Sequence, residues 1–228
     1  MLDKKYNPCF VARMLMSFPG NETIRERFLS GEDISEVEIE SIVNITPPTH
    51  AEFWGKDCLS MVSWYDIENL QFCLKKVIDD QIEGDFVETG VWRGGLCILA
   101  KCTFDYYDIN KKVFVADSFC GLPFPNGNLY PSDNGDIHHA IDSLRVSLEE
   151  VIENFKKFNC LDWDVIFLKG WFKDTLPIAP IEKLSVLRLD GDMYESTINS
   201  LDNLYHKLSI GGYCIIDDYH HTGCRNAV

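Results

Sequence analysis

Residues 85–95 read DFVETGVWRGG. A short β-rich run ends on glycine, and a glycine pair four and five residues later opens a stretch of helical composition over 94–104. A strand that passes through a glycine turn into a helix is the first half of a βαβ unit. The same alternation repeats to the end of the chain. KVFVADS (112–118) precedes a polar loop and a helix over 148–158, and WDVIFLKG (163–170) a short helical turn. SVLRLDGD (185–192) precedes a helix over 195–208, and GYCIIDDY (212–219) comes last. Five apolar strands alternating with helices predict an α/β fold, a doubly wound and mainly parallel sheet covered on both faces. Ligands of such sheets bind beyond the carboxyl ends of the strands.

Those ends are acidic. Glu88 and Gly90 close the first strand, Asp117 and Ser118 the second, Asp190 and Asp192 the fourth, and Asp217 and Asp218 the fifth. Aspartate also favours turns and helix starts. Four of five strands ending in acid point instead to a functional cluster. On a strand, residues two apart face the same way, so Asp190 and Asp192 converge if the strand persists that far. Carboxylates crowded together repel unless a cation neutralises them. Oxygen-only ligands suit Mg²⁺ or a similar hard divalent ion, because a zinc site recruits Cys or His and none lies in this run of acids. Such an ion lowers the pKa of a coordinated hydroxyl, and a spare carboxylate accepts the proton.

The glycine turn constrains the cofactor. A dinucleotide pyrophosphate needs glycine at the second position of GxGxxG; here that residue is Trp92. Asp117, 22 residues past Gly95, stands where an acid takes ribose hydroxyls. A nucleoside cofactor without phosphates fits, S-adenosylmethionine among them, with Glu88 either facing its ammonium group or serving the helix dipole. Trp171 either lines this pocket or packs beneath a loop. His138, His139, His220 and His221 are weaker candidates, since histidines in loops are common.

The remaining sequence bounds the setting. The 228 residues carry a formal net charge of −15 and are 46% hydrophobic, with a pI near 4.7 and a mean hydropathy of −0.11. So negative a surface disfavours nucleic acid and anionic membranes as partners. Nine cysteines without CxxC spacing, no signal-peptide core and no run long enough to span a bilayer predict reduced thiols and a cytoplasmic location. Residues 1–59 read as a cap of two or three short helices with a stop at Pro47 and Pro48. Apolar positions from Met61 to Val77 recur at helical spacing. We read 60–228 as the catalytic core of a single domain.

Five motifs in order, VETGVWRGG (87–95), VADSFCGLP (115–123), KGWFKDTLP (169–177), LRLDGDMYEST (187–197) and GGYCIIDDY (211–219), closely resemble the macrocin O-methyltransferase family. The resemblance spans residue 60 to the end. It implies a Rossmann-like class I methyltransferase with an N-terminal helical lid, acting on a hydroxyl of a sugar or related small secondary metabolite in antibiotic biosynthesis. It implies S-adenosylmethionine and Mg²⁺ as cofactors, with Asp190, Asp217 and Asp218 as metal ligands and Asp192 as general base. Met61, Ser63, Glu88, Gly90, Asp117, Ser118 and Ser147 fall at cofactor-binding positions. The family carries basic residues where this chain reads SWYDIENL (63–70). It also continues past the point corresponding to Val228 with a helix and an antiparallel strand pair, so the C-terminal strands are missing here and the fifth strand is expected as a sheet edge. A second copy covering that edge would make a homodimer. The alternatives are a catalytically silent binding module of the same fold and, less well supported because of Trp92, an NAD-dependent sugar dehydrogenase.

Overall fold

The computed structural model describes residues 7–45, 47 and 58–228. Pro48, half of the stop read at the end of the cap, lies outside these residues. Five parallel strands, β1 (Asp85–Thr89), β2 (Val113–Asp117), β3 (Val165–Lys169), β4 (Leu184–Leu189) and β5 (Leu208–Ile216), form one sheet in the order β3-β2-β1-β4-β5. The doubly wound parallel sheet expected from the alternation is therefore present. The order reverses direction between β1 and β4, and their carboxyl ends frame the crevice where such sheets take ligands.

Alternate residues of each strand enter two separate cores. Phe86, Val113, Val115 and Val186 join the helices α4 (Trp64–Asp79), α5 (Gly95–Tyr106) and α6 (Leu148–Lys157) on one face. Val87, Phe114, Leu187 and Leu189 join α8 (Tyr194–Leu204) and the turn around Leu176 on the other. Strands apolar on both faces belong in the middle of such a sandwich. Short α7 (Phe172–Thr175) follows β3, and α9 (Thr222–Ala227) follows β5.

Three short helices precede the core: α1 (Pro8–Met14), α2 (Glu22–Leu29) and α3 (Glu36–Val43). Their starts are encoded locally. Asn7 accepts from the amides of Cys9 and Phe10 with Pro8 at the first helical position, and Ser35 with Glu38 forms a capping box. Phe10 and Phe28 meet edge to face at 5.4 Å, and Phe28 meets Phe158 at 5.0 Å, which ties these helices to the end of α6. The segment at 63–70 serves α4 itself: Trp64 is buried and donates to Glu68, and the Ser63 amide donates to Asp66 at 2.9 Å.

Two boundaries differ most from the reading of the sequence. β5 starts at Leu208, four residues early, because Gly211 adopts φ +85° and the register to β4 shifts there, carrying the strand through a glycine pair. α8 ends at Leu204 and gives way to a 3₁₀ turn over Tyr205–Lys207. No cysteine among the described residues forms a disulfide, and no helix among them is long and apolar enough to cross a membrane.

One glycine is fixed by the sheet. Gly90 follows β1 at φ +87°, and a Cβ there would lie 1.6 Å from the Asp190 carbonyl oxygen. Gly90→Ala is expected to cost about 3 kcal/mol or more in urea unfolding, from strain and forced separation of β1 from β4. Stability within about 0.5 kcal/mol of the parent would contradict this packing.

Candidate active site

Register assembles the site. Glu88 pairs with Arg188 across β1 and β4, and Arg188 pairs with Ile215 across β4 and β5. Two residues further on, Asp190 and Asp217 leave neighbouring strands side by side. The guanidinium of Arg188 is buried and bridges the acids from all three strands. It donates to Glu88, to Asp190 at 2.7 Å and to Asp217. Burial opposes its charge, but Asp190, Glu88 and Asp217 outweigh that and hold its pKa well above the usual value.

Above this arginine, carboxylate oxygens of Asp190, Asp217 and Asp218 lie within 4.8 Å of one another. One guanidinium does not offset the crowding. Asp217 is pushed up to about 7, first by burial and then by Asp190. Asp218 is pushed up to about 7 by burial, Asp190 and Asp192. Carboxyls raised by burial and by one another's charge, and offering oxygen alone, match the donor set of a hard divalent cation.

Asp192 goes elsewhere. β4 ends at Leu189, and Asp192 takes a left-handed conformation at φ +59°. The expected same-face alignment with Asp190 is therefore replaced by a turn. The Asp192 amide donates to Asp218 at 2.9 Å, while its carboxylate joins His138 and His221. Burial and Asp190 push its pKa up to about 6. The expectation that no histidine lies in the acidic cluster thus holds for the trio and fails for Asp192. The loop after β2 folds back over the strand ends and delivers His138.

A cavity of about 750 Å³, including space open to solvent, runs from Gly90 and Asp117 past Trp171 to Asp190 and Asp192. Asp117 accepts from the amides of Val91 and Phe119, both at 2.8 Å, so the second strand's acid shapes the glycine turn. Trp92 stands at φ +48° on the cavity wall, its indole donating to the Ser143 carbonyl at 2.8 Å. A bulky side chain does occupy the position where a pyrophosphate needs glycine.

A family model described as macrocin-O-methyltransferase (TylF) matches residues 25–228. The chain belongs to the macrocin-O-methyltransferase family. It is 48% identical over 178 residues to the demethyldecarbamoylnovobiocin O-methyltransferase of Streptomyces niveus, covering 77% of this chain and 68% of that protein. It is 45% identical over 174 residues to the mycinamicin III 3''-O-methyltransferase of Micromonospora griseorubida, covering 74% and 68%. Among solved structures it is similar to the O-methyltransferase NovP, with a TM-score of 0.76, 46% identity and coverage of 78% and 75%. The calicheamicin methyltransferase CalS11, 17% identical with a TM-score of 0.62 over 92% and 84%, shares the fold.

Of the positions singled out in this macrocin-O-methyltransferase-family chain, Met61, Gly90, Asp117, Ser118, Trp171, Asp190 and Asp192 line the cavity. Ser63, Glu88, Ser147, Asp217 and Asp218 do not line it, and the last two adjoin it through Asp190. Ser63 and Ser147 start helices α4 and α6, the Ser147 hydroxyl accepting from the Glu150 amide at 3.2 Å. Glu88 is fully enclosed, taking a hydrogen bond from Arg188 and one from the Cys97 thiol at 2.9 Å. Two residues were missed. Arg188 carried a signal, a charge inside an apolar run that the sheet buries on both sides. Asp133 carried none: from the long loop it accepts the amides of Tyr194 and Glu195 at 2.6 and 2.9 Å and caps α8 from 61 residues away.

A carboxyl whose folded-state pKa exceeds its unfolded 3.8 binds its proton more tightly when folded. Asp218 therefore contributes stability below about pH 4 that is lost as pH rises through about 7. In chelator at pH 8, Asp218→Asn should melt about 2–4 °C above the parent, with the difference vanishing near pH 4. A lower melting temperature at pH 8 would contradict the crowding. Arg188→Leu, which leaves Glu88 buried without its cation, should cost about 3–5 kcal/mol in urea unfolding; a loss under 1 kcal/mol would show the bridge to be idle.

Proposed function

We propose that the chain is an S-adenosylmethionine-dependent, divalent-metal-dependent O-methyltransferase acting on a hydroxyl of a sugar-bearing small molecule. The observation that carries this is one cavity lined at one end by Gly90 and Asp117 and at the other by Asp190, the member of the carboxylate trio that reaches it. The acceptor class follows from the relatives, whose names place a methyl on novobiocin-, mycinamicin- and tetracenomycin-type products. We read residues 1–59 as a helical cap on a single catalytic domain, working in the cytoplasm.

Asp190, Asp217 and Asp218 are the proposed ligands for Mg²⁺ or a similar ion, which would supply Lewis-acid stabilisation of the acceptor oxygen. Gly90 and Asp117, which line one end of the cavity, would hold the nucleoside. Ser118, Met61 and Trp171 would bound the rest of the cofactor, and Trp92 gives its wall a flat apolar surface. Glu88 acts on this reading through Arg188, holding the guanidinium under the trio.

Asp192 is the proposed general base. It stands in the cavity beside the trio, its left-handed backbone is held by the hydrogen bond to Asp218, and its pKa near 6 lies close to working pH. It would take the proton that the acceptor hydroxyl loses as carbon–oxygen bond formation proceeds. Leu122, Pro123 and Leu144 on the cavity wall would limit the access of water, which competes as acceptor.

Asp192→Asn is expected to lower turnover about 10²–10⁴-fold, with S-adenosylmethionine affinity by calorimetry within about threefold of the parent. Full turnover in that variant would remove Asp192 from the mechanism. Absence of S-adenosylmethionine binding by the parent would remove the methyl-transfer reading altogether.

A further inference from the structure

We propose that His138, Asp192 and His221 form a second cation site, distinct from the aspartate trio and suited to a borderline transition ion such as Zn²⁺ or Co²⁺. Three elements far apart in sequence meet here: the 3₁₀ turn at His138–Ala140, the turn between β4 and α8, and the turn between β5 and α9. One ligand atom from each of the three side chains lies within 4.8 Å of the others, and all three residues are half-buried. A tetrahedral ion needs its ligand atoms about 3.3 Å apart, so closure asks for side-chain adjustment rather than refolding.

The surroundings prepare the histidines. Asp136 accepts the Nδ1 hydrogen of His138 at 2.8 Å and also the His138 amide at 2.8 Å. That bond fixes the tautomer and leaves Nε2 as the ring's basic nitrogen, the role an outer carboxylate plays at histidine–metal sites. The His138 and His221 rings stand 5.4 Å apart and 31° from parallel, with His220 packed against His221 at 4.1 Å. Asp133 pins the loop that carries His138 to the start of α8, so the set does not rely on a free loop.

Donor chemistry separates the two sites. The trio offers oxygen alone and favours hard ions, whereas two imidazoles and one carboxylate favour Zn²⁺ or Co²⁺ and leave a fourth position open. Asp192 belongs to the second site. If it is also the base, a claim that rests on the proposed function, a transition ion bound there withholds it and slows methyl transfer.

The test uses tag-free full chain in saturating Mg²⁺, titrated with Co²⁺ while its visible absorption is followed. One Co²⁺ per chain should bind and be displaced by Zn²⁺. His138→Ala and His221→Ala should each weaken binding about tenfold or more, and His220→Ala and Asp190→Asn should stay within about threefold. Loss of the Co²⁺ signal in excess Mg²⁺, or a signal indifferent to both His138→Ala and His221→Ala, overturns the proposal. Zn²⁺ bound at the site with turnover unchanged would uphold the site and count against Asp192 as base.

Discussion

The ion bridge from Arg188 to Glu88, Asp190 and Asp217 is the constraint on which the strand ends depend. A buried guanidinium is tolerated only where acids surround it, and buried acids only where a cation answers them. β1, β4 and the edge strand β5 each supply one acid to Arg188, so the network forms only when these three strands are in register. It links the fold to the chemistry, because two of its acids are also two of the trio above it. One guanidinium faces three carboxylates, and Asp218 stands as a fourth beside two of them. The centre is left short of positive charge, and burial first, then this crowding, raises the pKa values of Asp217 and Asp218.

Backbone geometry then divides the acids between two tasks. Gly90 lets β1 come against the Asp190 carbonyl, which keeps the mouth of the crevice narrow. The left-handed turn at Asp192 swings one carboxylate out of line with Asp190 and toward His138 and His221. A strand continued to residue 192 would have aimed both aspartates the same way and made a single crowded cluster. The turn gives instead an oxygen-only trio and a separate acid between imidazoles, joined by the hydrogen bond from the Asp192 amide to Asp218.

Much of this was legible in the residues. The alternation of apolar runs with helical segments located all five strands, most clearly β1, β2 and β4, which are buried on both faces and have no polar face to blur the pattern. The acids at strand ends located the crevice, since topology alone sends the carboxyl ends there. Trp92 correctly marked a wall where a pyrophosphate would need open backbone. Long-range partners were not legible. His138 reaches Asp192 only through the fold of the loop after β2, and Asp133 caps a helix 61 residues away. Ser63, Ser147 and Glu88 sit near the cavity in sequence terms, yet their side chains serve helix starts and the arginine bridge. Arg188 was visible as a charge within an apolar strand, and only its three partners explain why it is there.

The charge deficit above Arg188 is the central claim, and proton release on cation binding tests it most directly. Calorimetric titration with Mg²⁺ near pH 6.5, in buffers of different ionisation enthalpy, should give one site per chain. Its apparent heat should depend on the buffer because protons leave Asp217 and Asp218, and that dependence should fade by about pH 9. No binding, or a heat independent of buffer at pH 6.5, would contradict the account.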